Sequence, residues 1–141
     1  DCKTTMFRGR YRRPDVDRLN GELARIEPSS GTALAIAIKR AASLMQGGRS
    51  ADDPVNMVLV SDGYDACGGD PCAAAAAAKR DRPGLVINVI DLAQAENLAC
   101  IADATGGAYA GLGAALALED LAQATGVAAG ADAGQRCVPV R

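Results

Sequence analysis

The run Val58-Leu-Val-Ser-Asp-Gly63 constrains the fold more than any other part of this 141-residue chain. It is an apolar segment with the length of a buried strand, and it ends at a carboxylate, Asp62, followed by glycine. Asp-Gly also occurs in hairpin turns, but no alternating strand follows Gly63; a cysteine-flanked loop and an alanine-rich segment come next. The pattern therefore predicts a strand, a loop and a helix, with Asp62 at the strand end where open α/β sheets bind ligands.

The other segments alternate between helical and strand-like patterns. Apolar spacing and turn residues predict helices over residues 16–26, 32–46, 72–80, 95–104 and 114–124, and strands over residues 5–11, 56–60 and 85–90. This alternation predicts an α/β fold with an open, mostly parallel, Rossmann-like sheet, helices on both faces and right-handed crossovers. We expect residues 1–125 to form this domain and residues 126–141 to be an Ala/Gly-rich tail with little bulk to bury.

Ser29-Ser-Gly-Thr-Ala-Leu34 opens the second predicted helix and puts Thr32 at its first turn. Thr32 at a helix start and Asp62 at a strand end together resemble the von Willebrand factor type A (VWA) domain. In that family, a threonine of a Gly-Thr loop and the aspartate of a Val-x-x-Asp-Gly strand help to hold one divalent cation, at the metal-ion-dependent adhesion site. The resemblance extends through the strand at residues 85–90 and the Gly-Gly turn at residues 106–107, with a short edge strand after it.

The family's Asp-x-Ser-x-Ser segment is absent from these 141 residues. The resemblance therefore implies an N-terminally incomplete VWA domain, its C-terminal two-thirds, and the start at Asp1 leads us to expect that a leader or more was removed. The strand at residues 56–60 would then have an open apolar edge, which we expect a strand from another polypeptide to cover. The N-terminal part of the same precursor is the simplest source, with Cys2, or else Cys137, as the covalent link.

The resemblance implies that Thr32 and Asp62 are ligands for Mg²⁺ or Ca²⁺, and Asp65, Asp70 and Asp91 are possible additional ligands. Both ions prefer hard oxygen ligands, and affinity grows with the number of charged ligands. We therefore expect binding that is weak or absent in this chain alone. In the alternative interpretation, Thr32 caps its helix, Asp62 accepts backbone hydrogen bonds in its turn, and Asp91 caps the helix that follows it.

Five cysteines indicate an oxidising compartment, which is the periplasm, the cell envelope or the cell exterior. Cys67-Gly-Gly-Asp-Pro-Cys72 is short and glycine-rich enough to close as a disulfide, so we predict that Cys67 and Cys72 are bonded to each other. Half of a zinc site and a redox pair are the alternatives for this loop. The pairing of Cys2, Cys100 and Cys137 is left open.

Composition narrows the classes of function. The chain has no histidine, which removes the common general base near neutral pH and the Ser-His-Asp mechanisms. A net charge of -2 and only 3% aromatic residues argue against nucleic-acid binding, although arginines cluster in residues 8–13. We interpret that cluster as a charged edge strand, with an anion patch as the alternative. No apolar stretch has the length of a membrane span.

These observations predict a non-enzymatic protein-binding or assembly module of an exported protein. The alternative is a structural fragment of a processed larger protein that completes a fold with another chain. A thiol-disulfide redox enzyme is a third hypothesis.

Overall fold

The structure, a computed structural model, describes residues 16–27, 31–93 and 98–111, together with Cys2 and Thr5. Its elements are α1 (Val16–Leu23), α2 (Leu34–Leu44), β1 (Val55–Ser61), α3 (Pro71–Asp81), β2 (Leu85–Asp91), α4 (Ala99–Thr105) and β3 (Tyr109–Gly111). The predicted open α/β fold with a parallel sheet is confirmed. The predicted strand at residues 5–11, apart from Thr5, which is not in a strand, the helix at 114–124 and the tail at 126–141 fall outside the described residues.

The described part of the sheet has three parallel strands in the order β1-β2-β3. β1 and β2 pair along their whole lengths, from Val55 opposite Leu85 to Ser61 opposite Asp91. Among the described elements, α3 lies between β1 and β2 in the chain and α4 between β2 and β3, as expected for parallel strands, which need crossover connections. The carboxyl ends of the strands consequently meet at one edge of the sheet.

The hydrophobic core lies against one face of this sheet. Alternate residues of β2, Leu85, Ile87 and Val89, have no exposed surface and pack with buried residues of α2, α3 and α4. Side chains alternate between the two faces of a strand, so the β1 residues opposite them belong to the same face. The intervening β1 residues Val58 and Val60 are instead about half exposed, at 47% and 55%.

Helix α3 has six alanines among its eleven residues and is capped at its N-terminus. The carboxylate of Asp70 caps it by accepting the backbone N–H of Ala73 at 2.9 Å, and Pro71 follows at the first helical position. Ala74, Ala75 and Ala78 are buried between α3 and its neighbours. Because their side chains are small, α3 lies close to the flanking helices, as the alanine run predicts.

Helix α1 confirms the sequence prediction of an amphipathic helix but contributes no buried residue. Its apolar residues Val16, Leu19 and Leu23 remain 59%, 47% and 55% exposed. Within the part of the chain that is described, none of the helices combines the length and hydropathy needed to cross a bilayer.

Candidate functional site

The ends of β1 and β2 bring the predicted site residues to one edge. Ser61 and Asp91 are register partners at the last positions of their strands, and the N–H of Leu92 donates to the carbonyl of Ser61 at 2.8 Å. Asp62 follows directly, so Asp62 and Asp91 lie at the same edge of the sheet, as the strand order predicts. This edge is the candidate site.

Asp62 is an exposed carboxylate that makes no hydrogen bond with another described residue. The turn after β1 is shaped by Ser61, whose hydroxyl donates to the carbonyl of Gly63 at 2.8 Å and accepts the N–H of Gly63 at 3.3 Å. Ser61 thus has the turn-forming role that the alternative interpretation gave to Asp62. Among the described residues, none donates a hydrogen bond to the carboxylate of Asp62.

Thr32 does not cap α2. The helix begins at Leu34, and its N-cap residue is Ala33. Ala33 has no side-chain group that could make a capping hydrogen bond. The carbonyl of Thr32 accepts the N–H of Ala66 at 2.9 Å, which ties the segment before α2 to the loop that follows β1. Thr32 and Asp62 are therefore on two segments joined by a backbone hydrogen bond, and the Thr32 side chain is half-buried.

Asp65 organises the loop after β1. Its carboxylate accepts backbone N–H groups from Ala35 at 2.8 Å, Cys67 at 2.8 Å and Gly69 at 3.1 Å. Burial of the group raises its pKa, but these bonds and one from Leu34 outweigh that effect and hold the pKa of Asp65 below 3.8. The first turn of α2 is thus capped by a carboxylate from another loop.

The oxygens of Asp70 and Asp91 are also engaged. Asp70 is the N-cap of α3. Asp91 is fully buried, and its two oxygens accept the N–H of Ala93 at 3.0 Å and the hydroxyl of Tyr109 at 2.8 Å. Asp91 does not cap α4, as the alternative interpretation expected, because α4 begins at Ala99 and its N-cap residue is Leu98. Among the residues described, no group of three Asp, Glu, His or Cys side chains is arranged to hold a metal ion.

The cysteine pairing differs from the prediction. Cys2 is bonded to Cys67 with a Cα–Cα distance of 5.4 Å, and Cys72 is bonded to Cys100 at 5.5 Å. The predicted Cys67–Cys72 bond is wrong because Cys72 belongs to helix α3, which packs against α4 and so brings Cys72 to Cys100. The expectation that Cys2 forms a disulfide with another chain is also wrong, because Cys2 is bonded to Cys67. Cys137, the alternative link, lies outside the described residues. The pair that suggested a redox enzyme is not formed.

Sequence reasoning overlooked the structural role of Asp65. A local signal was present in the sequence. Asp65 accepts the N–H of Cys67, two residues later, which is the pattern of an Asx turn. The bond to Ala35, thirty positions away, has no such local signature.

No protein-family model, curated protein or solved structure matches this chain. The VWA resemblance therefore depends on the sequence motifs alone. Chemically, the candidate site consists of one exposed carboxylate, a nearby backbone network and the edge of β1 that no described strand pairs with.

Proposed function

We propose that this chain is a non-enzymatic protein-binding or assembly module of an exported protein, VWA-like in its organisation, in which β1 accepts a strand from another polypeptide. In the described part of the chain, β1 pairs only with β2, and no described strand bonds to its other edge. This edge, open among the described residues, is the observation that carries the proposal.

The direction of the β1 backbone groups follows from two hydrogen bonds. The N–H of Val55 donates to Gly84 and the carbonyl of Ser61 accepts from Leu92, so the odd-numbered residues of β1 bond to β2. Peptide groups alternate along a strand, and the N–H and C=O groups of Asn56, Val58 and Val60 therefore point away from β2. These three residues supply the donors and acceptors for an added strand.

The side chains of β1 suit such a partner. β1 contains no charged residue and no proline, which are the features that usually protect an edge strand from pairing. Val58 and Val60 also present half-exposed apolar surface on the face opposite the core. The chemistry favours an extended segment whose apolar side chains cover these two valines. The simplest source is the N-terminal part of the same precursor, which is also the basis of the alternative role as a structural fragment.

Two further features support this assignment. Two disulfides within the described residues favour an exported protein, because such bonds persist in oxidising compartments. The non-enzymatic role is supported by the lack of histidine and by the lack of a hydrogen-bonding partner for Asp62 among the described residues. Thr32 and Asp62 by themselves do not make a complete Mg²⁺ or Ca²⁺ site, and the proposal assigns them only a partial one.

The 141-residue chain provides a direct test, because an edge strand without a partner is a template for pairing with the same edge of a second copy. We expect sedimentation velocity to show association that grows with concentration, and hydrogen exchange at Asn56, Val58 and Val60 to slow as association grows. Val58→Pro and Val58→Lys should each abolish association, since proline removes an outward N–H and lysine protects an edge. Val58→Thr is the matched control and should still associate.

Two results would overturn the proposal. One is a chain that stays monomeric at all concentrations, whether or not the outward amides are protected. The other is association that Val58→Pro and Val58→Lys leave unchanged. Because two chemically different variants are used, a folding defect in the proline variant does not prevent a decision.

A further inference from the structure

A groove of about 460 Å³ lies between α2 and α3. Its lining includes Arg49, which follows α2, and Arg82, which follows α3, both toward the edge of the sheet where the strands begin. Its alanine walls come from both helices, and the small side chains leave the space between them unfilled. Its polar lining is formed by Lys39, Ser43, Arg49, Asp81 and Arg82. None of these residues belongs to the candidate site at the carboxyl edge.

Arg82 is the least ordinary residue of this groove. It is a charged side chain with only 8% of its surface exposed. Its Nη1 donates to the carbonyl of Gly47, and within the described residues it forms no ion pair. Burying a guanidinium without an anionic partner is costly, so its remaining N–H groups require an acceptor. They are not among the buried polar atoms left without a partner, so they keep some accessible surface, and Arg82 belongs to the lining of the groove.

Most of the other charges in the lining of the groove are also positive. Lys39 and Arg49 are exposed on its rim, and Asp81 is the one acidic residue of the lining. None of these three forms an ion pair with a residue that the structure describes. The carboxyl ends of α2 and α3 favour nearby cations to a modest degree, but a helix end carries only about half a charge. Three cationic side chains with one carboxylate leave a positive excess.

We propose that this groove binds the oxyanion of a small molecule, a phosphate or a carboxylate group, through the guanidinium of Arg82 with Lys39 and Arg49 at the rim. A planar guanidinium donates two parallel hydrogen bonds to such a group, and the two rim cations add electrostatic attraction. The volume lies within the range of small-molecule sites, about 300–1,000 Å³. The alanine walls accommodate the apolar part of the ligand.

Calorimetric titration of the full chain with inorganic phosphate and, separately, with succinate tests this site at constant ionic strength in chloride. We expect at least one of the two anions to saturate a single site per chain. If phosphate binds more tightly, the natural ligand carries a phosphate; if succinate does, it carries carboxylates. Arg82→Gln should abolish saturable binding, because it removes the buried donor.

Two double variants with equal change in net charge separate a site from general attraction. Lys39→Gln with Arg49→Gln removes both rim cations, and we expect it to weaken binding by about tenfold or more. Arg40→Gln with Arg80→Gln removes two exposed cations outside the lining, and we expect less than about a twofold change. These residues are exposed, so both double variants should fold even if Arg82→Gln does not.

The inference is overturned if neither anion saturates a site, or if the two double variants weaken binding equally. The second result would mean that the chain attracts anions through its overall surface charge. Neither result bears on strand addition at β1, which is at a different part of the sheet.

Discussion

The carboxylate of Asp65 accepts the backbone N–H of Ala35 at 2.8 Å and thereby fastens the loop after β1 to the first turn of α2. Thirty residues separate the two positions. The same carboxylate also accepts two N–H groups of its own loop, from Cys67 and Gly69. One side chain thus holds together the two segments on which Thr32 and Asp62 lie, so the shape of the candidate site depends on a residue other than the two predicted ligands.

Asp65→Asn should reduce stability by roughly 1–3 kcal/mol near neutral pH, because charge-assisted hydrogen bonds to the backbone N–H groups are weakened. The folded-state pKa of Asp65 is lower than the ordinary 3.8. The stability that its charged carboxylate adds to the fold is therefore fully present above pH 3.8 and is lost as the pH falls through the lower, folded pKa. Urea unfolding at a series of pH values measures this effect. The difference in unfolding free energy between wild type and Asp65→Asn should disappear only in acid.

Asp62→Asn is the matched control. Asp62 is exposed and makes no hydrogen bond with another described residue, so near neutral pH this variant should unfold within about 0.5 kcal/mol of wild type. A gap for Asp65→Asn that stays constant from neutral pH to well below 3.8 would contradict the proposed role of its charge.

Both disulfides should be found when non-reduced protein is digested and its peptides are mapped: Cys2 with Cys67, and Cys72 with Cys100. In the chain-entropy description, closing loops of 65 and 28 residues stabilises the fold by roughly 3–4 kcal/mol each. Replacing either pair with serines should lower the unfolding free energy by about that amount. A peptide that links Cys67 to Cys72 would refute this pairing.

The elements of the fold were predictable because their signals are local. The apolar run at β1, the alanine run of α3 and the Gly106-Gly107 stop after α4 each specify an element by its own residues. Gly107 also has a packing role that the sequence does not reveal, since a Cβ there would clash with the carbonyl oxygen of Ile87. The order of alternating elements then determines the parallel sheet.

The details of the site were less predictable because they depend on contacts between distant segments. Cys67 and Cys72 are close in sequence, yet the packing of α3 on α4 brings Cys72 to Cys100 instead. Arg82 similarly follows a helix end, where a basic residue is common, and only the packed structure shows that it is buried. Loop lengths and helix ends can be predicted from the sequence. The burial of a side chain and the disulfide partner of a cysteine depend on how the elements pack.

Thr105→Val should destabilise the protein by about 1–3 kcal/mol. The buried hydroxyl of Thr105 accepts the N–H of Ile87 at 2.9 Å and is within hydrogen-bonding distance of the carbonyl of Ile101 at 3.1 Å. Valine has nearly the same shape but no acceptor, so the N–H of Ile87 would remain buried without a partner. Thr105→Ser keeps the hydroxyl and should lose less stability. Equal urea midpoints for Thr105→Val and wild type would contradict this account.

Calcium or magnesium should bind the chain alone only weakly. Asp65 and Asp70 already accept backbone N–H groups, and buried Asp91 accepts an N–H and a hydroxyl, which leaves Asp62 and Thr32 as the predicted ligands. The affinity of oxygen-ligand sites grows with the number of charged ligands, and among the predicted carboxylate ligands that the structure describes, only Asp62 lacks a hydrogen-bonding partner. Calorimetric titration should therefore give little heat, and Asp62→Ala should remove whatever signal exists. If Asp62→Ala keeps a micromolar or tighter dissociation constant, the ion binds elsewhere. If Asp62→Ala abolishes such binding, the loop rearranges to free Asp65 or Asp70. Asp65→Asn then separates those two aspartates, because it changes the affinity only if Asp65 becomes a ligand or positions the loop that carries Asp62.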